Sequence, residues 1–167
     1  MKNCIRRRHN FSDFVWFSML GWTPVLVACL AIASSSLLWM AAYLGVMLLL
    51  GLVEIGFLCR HCPYFAQEPG LIVHCKAMWG PTKWSRPKPG RLSRLDRGVF
   101  SFFMLAALAF PVYWLIPQWQ FFLIYVVSVA LMFFTLTRYE CNRCMFFDCP
   151  FNRVGQGAKE EAQDTAE

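Results

Sequence analysis

The chain has 167 residues, of which 57% are hydrophobic, 17% aromatic and only 16% charged, and its formal net charge is +6. A soluble globular domain has about 25% charged residues, so this composition excludes an ordinary soluble protein. Four apolar segments have the roughly 20 residues that are needed to cross a ~30 Å hydrocarbon core. The sequence therefore predicts an all-α integral membrane protein.

The four apolar segments predict four transmembrane helices arranged as two antiparallel hairpins. The segments cover residues 14–33, 37–58, 98–116 and 119–137. Strand-like alternation is absent, so we expect helices, which satisfy their own backbone hydrogen bonds in lipid. The links at 34–36 and 117–118 are so short that the helices they join must be antiparallel neighbours.

The remaining sequence divides around these hairpins. A basic arm (1–11) precedes the first hairpin (12–58), a Cys-rich basic loop (59–92), the second hairpin (93–140), a Cys-rich segment (141–154) and a polar tail (155–167). Ser93-Arg94-Leu95-Asp96 fits a capping box and predicts where the third helix begins. The composition of the tail predicts disorder.

All sixteen Lys and Arg residues lie on one side of this plan. Loops rich in Lys and Arg stay on the cytoplasmic side, so we expect a multi-pass protein of the inner or plasma membrane with both termini cytoplasmic. The positive charge indicates attraction to anionic lipid of the inner leaflet rather than to nucleic acid. A membrane or cytosolic protein is a further candidate partner.

Six of the eight cysteines form two clusters on that same side. The clusters are Cys59/Cys62/Cys75 and Cys141/Cys144/Cys149. Each begins with a C-x-x-C, which supplies two thiolates from one tight turn, as in zinc and iron–sulfur sites. In a reducing compartment such groups bind metal more often than they form structural disulfides. The sequence predicts a metal site and leaves open whether it holds zinc or an iron–sulfur cluster, and whether there is one site or two.

Three further residues are candidates for additional ligands or for partners that support the ligands. Glu54 is the only ionisable residue inside a span, and an intramembrane carboxylate is by default a functional hypothesis. His61 and His74 lie beside the first cysteine cluster. The ordinary alternatives are a carboxylate that reaches the headgroups and solvated loop histidines. For the cysteines, thiol–disulfide chemistry and unligated thiols are the alternatives.

Two functions fit this pattern, and the sequence does not decide whether the protein is an enzyme. In the first, the metal site clamps the two hairpins and serves as a binding or assembly module. In the second, the protein transfers electrons through an iron–sulfur cluster or does thiol-redox chemistry linked to quinone. Four helices with two cysteine pairs resemble the quinone-linked thiol oxidoreductases of the disulfide-formation and vitamin K epoxide reductase type. Those enzymes carry reactive cysteines on the non-cytoplasmic side, whereas the charges here place them inside.

Overall fold

The computed structural model describes residues 5–6, 8–67, 70–81, 83, 85–88, 90–149, 151–157 and 159, and this part of the chain is mostly helical. Its α-helices and strands follow in the order α1 (Phe11–Ala33), α2 (Leu37–Val53), α3 (Pro63–Gln67), β1 (Val73–His74), β2 (Trp79–Gly80), α4 (Arg94–Ala109), α5 (Val112–Leu115) and α6 (Trp119–Thr135).

Four helical stretches are long and apolar enough to cross a membrane, as the sequence predicted. They are Phe11–Ala33, Leu37–His61, Arg94–Leu115 and Trp119–Arg143. Their outward faces are apolar, since Leu38 is 78% exposed and Trp119 is 67% exposed. Continuous apolar surface of this kind marks contact with lipid or with another protein.

The second and fourth stretches extend further than the predicted ends at residues 58 and 137. In each, a π-helical turn and then a 3-10 turn continue the α-helix. Cys59 and Cys141 therefore lie in the last helical turns. A hydrophobicity pattern marks where apolar residues end, but a helix that continues into polar residues has no such boundary.

The first and third stretches begin in similar ways. The N–H of Asn10 donates to Asp13 Oδ2 at 2.9 Å, so Asn10 caps α1, which begins slightly earlier than the apolar run. At α4 the N–H of Asp96 donates to Ser93 Oγ at 3.1 Å, which confirms the predicted helix start at Ser93. In both cases an acidic residue lies in the first turn, where it neutralises the unpaired backbone N–H groups.

The helices pack so that α1 contacts α6 and α2 contacts α4. One buried cluster lies among α1, α2, α5 and α6 and contains Ala28, Ile32, Tyr43, Leu115 and Tyr125. Near it, the Gln118 side chain donates to the carbonyl of Ala31 at 3.1 Å and contacts Ser34 Oγ at 3.1 Å. This contact joins the turn after α1 to the turn before α6.

A second buried cluster lies at the opposite end, where α2 and α6 end. It contains Leu58, Leu92, Phe100 and Phe146, and Cys62, Cys144 and Cys149 pack against it. We call this end of the helices the cysteine end. The predicted arm, loop and Cys-rich segment all meet here, because the N–H of Arg6 donates to the carbonyl of Arg143 and Lys88 donates to Arg60.

The third cysteine of the first cluster lies in a small hairpin of the central loop. Strands β1 and β2 are antiparallel and pair His74 with Trp79, and Cys75 follows β1 directly. The N–H of Cys75 donates to the carbonyl of Met78 at 2.9 Å, so the hairpin fixes the backbone of Cys75. Disorder of the tail stays a prediction, since residues 158 and 160–167 lie outside the described part of the chain.

Candidate metal centre

The two C-x-x-C motifs have nearly the same backbone geometry. A π-helical turn at Glu54–Leu58 precedes the first, and one at Leu136–Glu140 precedes the second. The N–H of Cys59 donates five residues back to the carbonyl of Glu54, and Cys141 does the same to Leu136. π-helical turns inside α-helices occur frequently at functional sites. Here the π-helical turns place the first cysteine of each motif at the same position relative to its helix.

The second cysteine of each motif has left the helix. Cys62 has φ −75° and ψ 133°, and Cys144 has φ −83° and ψ 132°, so both are extended. The N–H of Cys62 donates to the carbonyl of Cys59 at 2.9 Å, which closes the first motif as a tight turn. This conformation is the one that lets a C-x-x-C present two thiols from one turn.

All six predicted cysteines line one cavity at the cysteine end. The cavity has a volume of about 200 Å³, and its lining includes Cys59, Cys62, Cys75, Cys141, Cys144 and Cys149. Both clusters and both halves of the chain thus face a common space. The cysteines are all free thiols in the described part of the chain, and Cys141 is the most buried of the six, at 8% exposed.

The rest of the cavity wall is almost entirely apolar. Phe17 of α1, Phe100 and Met104 of α4, and Met132 and Phe133 of α6 contribute to it. Phe151 covers another side and lies against Phe100, with ring centroids 6.3 Å apart. An apolar shell limits the access of water and lowers the local dielectric, which tunes any charged group inside it.

The described residues include no group of three or more His, Cys, Asp or Glu side chains that is arranged to hold a single metal ion. The six thiols surround the cavity without converging on one point in it. The predicted metal and its identity therefore stay proposals, which the chemistry of the donor set supports.

Burial raises the pKa of the thiols outside the helical spans. The pKa of Cys62 lies well above its usual range, and that of Cys149 is raised to about 11, in both cases chiefly through loss of hydration. The pKa of Cys75 is raised for the same reason. Thiols of this kind are protonated at neutral pH, whereas thiol–disulfide exchange requires the thiolate. A bound cation would supply the charge that deprotonates them.

Of the three additional candidates, only Glu54 lines the cavity. His61 is 6% exposed and does not line the cavity, and its Nε2 is 3.4 Å from Oδ2 of Asp96. His74 packs on Trp79 with ring centroids 4.7 Å apart and lines a different cavity. The geometry thus favours Glu54 over either histidine as a group that acts on the thiols.

Several residues that the sequence did not single out hold this arrangement together. The Asn152 side chain donates to the carbonyls of Cys144 and Phe146 at 3.0 and 2.9 Å, which closes the loop that carries Cys149. The hydroxyl of Tyr64 donates to the carbonyl of Arg6 and accepts from the N–H of Met145 at 3.3 Å. Such contacts link residues far apart in the chain, so spacing along the sequence gives no signal for them.

Lys76 is the cationic residue that lines the thiol cavity among the described residues. Its ammonium lies 3.9 Å from a carboxylate oxygen of Glu140 and 5.9 Å from the ring centroid of Phe17. The charge of Lys76 lowers the pKa of the Cys75 thiol and so opposes the effect of burial. Its position directly after Cys75 was visible in the sequence, but its proximity to the second cluster was not.

Comparison with models of protein families, with curated proteins and with solved structures finds no match to this chain in any of the three.

Proposed function

We propose that the protein is a membrane protein of two antiparallel helical hairpins whose six clustered thiols hold one metal centre at the cysteine end. The observation that carries the proposal is that thiols from four separate segments line a single cavity. The segments are the ends of the α2 and α6 spans, the β1–β2 hairpin and the loop closed by Asn152. Metal ligands from all four would tie both halves together, so metal binding would also stabilise the fold.

Of the two metals that the sequence left open, the cavity favours an iron–sulfur cluster. A cavity of about 150 Å³ holds a benzene molecule, and the thiol cavity is larger, at about 200 Å³. A single zinc ion draws four ligands to about 2.0–2.3 Å and leaves no such space among them. A cluster of several iron and sulfide atoms needs both the volume and more widely spaced cysteines.

The first role of such a centre is to clamp the two hairpins into one module. The two C-x-x-C motifs lie at the ends of helices that belong to different halves of the chain. In the apolar region, contacts of α1 with α6 and of α2 with α4 join the same two halves. The centre would lock the cysteine end, where polar loops supply less packing. The module would then present its basic loops to a protein partner or to anionic lipid.

Electron transfer to a membrane quinone is the second candidate, and the position of the cavity favours it. Side chains within the helical spans, including Met104 and Met132, form one wall, while loop residues such as Cys75 form another. A redox centre in this cavity would lie between the apolar region, where quinones dissolve, and the polar loops, where a soluble donor would bind. The raised thiol pKa values oppose the third alternative, thiol–disulfide exchange without a metal.

The proposed orientation places the cysteine end in the cytoplasm of an inner or plasma membrane. Its support is that the basic residues flank this end of the spans, as at Arg60, Arg94, Arg97 and Arg143. The reducing cytoplasm would keep the thiols available for metal.

Metal content in single cysteine variants tests the shared centre. If the six thiols serve one site, Cys59→Ser or Cys141→Ser alone should remove essentially all bound iron and loosen both hairpins in detergent. Two independent sites would leave about half the metal after either change. Cys29→Ser is the matched control, because Cys29 packs against the apolar cluster in α1, away from the cavity. Retention of half the iron in Cys59→Ser would rule out the shared centre.

A further inference from the structure

A second cavity lies beside the thiol cavity and has no part in the centre proposed above. Its volume is about 210 Å³, and it is lined by Arg8, His9, Tyr64, Gln67, His74 and Trp79. Residues of the N-terminal arm form one side, and the β1–β2 hairpin and α3 form the other. The ring of Tyr64 separates the two cavities, because it lines both.

His9 is a buried polar side chain with unused hydrogen-bonding capacity. It is 7% exposed, and neither ring nitrogen has a hydrogen-bond partner. Nδ1 lies 3.7 Å from Oδ2 of Asp13, beyond hydrogen-bond distance, while the other oxygen of Asp13 is 2.8 Å from Arg6. A neutral imidazole offers one donor and one acceptor, and buried groups of this kind are nearly always bonded. The ring of His9 packs on Tyr64, with centroids 4.7 Å apart, and this contact fixes its orientation.

The charges around this cavity favour an anion. Among the described residues, its lining contains the guanidinium of Arg8 and no carboxylate. Burial and the nearby charges of Lys76 and Arg6 lower the pKa of His9 to about 4, against the opposing effect of Asp13. Loss of hydration is the largest of these causes and the two cations add to it, so the ring of His9 is neutral at pH 7.

The position of the cavity relates it to the membrane surface. Trp79 on its rim contacts Phe11 and Phe14 in the first turn of α1, with centroids 5.5 and 6.4 Å apart. Tryptophan at the end of a membrane span marks the level of the lipid headgroups. The cavity therefore lies at the level of the headgroup phosphates, if the helices span the bilayer as proposed above.

We propose that this cavity binds a phosphate group, held by the guanidinium of Arg8 and the ring N–H of His9, with Trp79 at its side. A phosphate has several acceptor oxygens and suits the fork of an arginine together with a second donor. The phosphate belongs either to an anionic lipid headgroup or to a soluble phosphate compound. The lipid source rests on the membrane insertion proposed above, whereas the soluble source does not.

Calorimetric titration of the full chain in a neutral detergent tests this site. Inorganic phosphate is titrated in one arm and phosphatidylglycerol in the other. Saturable binding near one equivalent is expected in at least one arm. Arg8→Gln should weaken the affinity about tenfold, which is the effect expected from the loss of one charge-assisted hydrogen bond. Arg8 is exposed, so this variant keeps the fold. Arg86→Gln, which removes an equally exposed charge outside the cavity, is the matched control.

The two arms separate the two sources. Binding of inorganic phosphate supports a soluble compound, and binding of phosphatidylglycerol alone supports a lipid headgroup. Absence of saturable binding in both arms would overturn the proposal. Equal weakening by Arg8→Gln and Arg86→Gln would also overturn it, because the attraction would then be that of a diffuse basic surface.

Discussion

At the scale of single residues, Glu54 is the side chain whose position says most about the chemistry of the thiol cavity. It is the first residue of the π-helical turn that precedes Cys59, and it lines the cavity with the six thiols. A carboxylate there can accept hydrogen bonds from protonated thiols or take part in binding the metal. Because Glu54 lines the cavity, this role explains its position better than contact with the lipid headgroups does.

Glu54→Gln is expected to weaken metal retention without affecting membrane insertion. The amide keeps the shape of the side chain but loses the charge, and loss of a group that supports metal ligands typically costs 10–100-fold in affinity. The measurement is metal content after dialysis against a chelator, with the membrane fraction analysed in parallel. Unchanged metal retention and unchanged redox behaviour would show that Glu54 has no role in the centre.

His9 should make the stability of the protein depend on pH. Its pKa is about 4 in the folded protein and 6.5 in the reference state, so the unfolded chain binds the proton more readily. The stabilisation is fully present above pH 6.5 and is lost as the pH falls toward 4, by about 3 kcal/mol at most. Thermal midpoints in detergent and phosphate-free buffer between pH 7 and 5 measure this loss. His9→Asn should flatten the dependence, and an unchanged slope in that variant would contradict the assignment.

At the scale of helices and strands, the sequence predicted the regular parts but not the backbone geometry at the ends of the second and fourth helices. Apolar runs and the Ser93–Asp96 cap gave four spans and the start of α4, because both signals are local. The π-helical turns before Cys59 and Cys141 carry no periodic signal of their own, so the sequence did not predict them. The single cavity was also beyond prediction, since it depends on how the halves pack. Spacing alone left one site and two equally open.

The contact between the end of the α2 span and the start of α4 predicts a difference between two similar carboxylates. Asp96 is 6% exposed and lies 3.2 Å from Arg60 and 3.4 Å from His61. Asp13, at the corresponding place in α1, pairs with Arg6, whose side chain is 38% exposed. Asp96→Asn should cost about 1–3 kcal/mol, because it removes the buried charged acceptor of the Arg60 hydrogen bond. Asp13→Asn should cost less than 1 kcal/mol, because its partner Arg6 is more than a third exposed and water can take over the lost contact.

Thermal midpoints of the two variants in the same detergent check this difference. Because both changes replace Asp by Asn in the first turn of a helix, the effect on the helix terminus is matched. Equal losses would mean that the Arg60–Asp96–His61 contact does not hold the two halves together at the cysteine end.

At the scale of the whole molecule, the same succession of elements occurs in both halves. In each, a helix with an acidic residue in its first turn is followed by a second that ends in a π-helical turn, a 3-10 turn and a C-x-x-C. If α1 corresponds to α4 and α2 to α6, the contact between α1 and α6 is equivalent to the contact between α4 and α2. Two such halves side by side place both C-x-x-C motifs at one end of the helices. A shared centre follows from this arrangement more readily than two separate ones.

Accessibility of the thiols tests the proposed orientation. A membrane-impermeant thiol reagent applied to intact cells should fail to label the six clustered cysteines, with or without prior removal of metal. The same reagent should label them in inverted vesicles after chelation, because the cysteine end then faces outward. Labelling of Cys62 or Cys144 in intact cells would reverse the orientation and revive a disulfide-forming role.

The central claim is that the six thiols hold a metal centre, and the metal content and visible spectrum of anaerobically purified protein test it most directly. The cavity predicts a brown protein that contains iron and acid-labile sulfide in similar amounts and bleaches on reduction. The same measurement on Cys59→Ser should show the colour lost. A colourless protein with bound zinc would support the role of the centre in joining the hairpins and would exclude the iron–sulfur cluster. Wild-type protein that retains neither iron nor zinc under these conditions would contradict the claim.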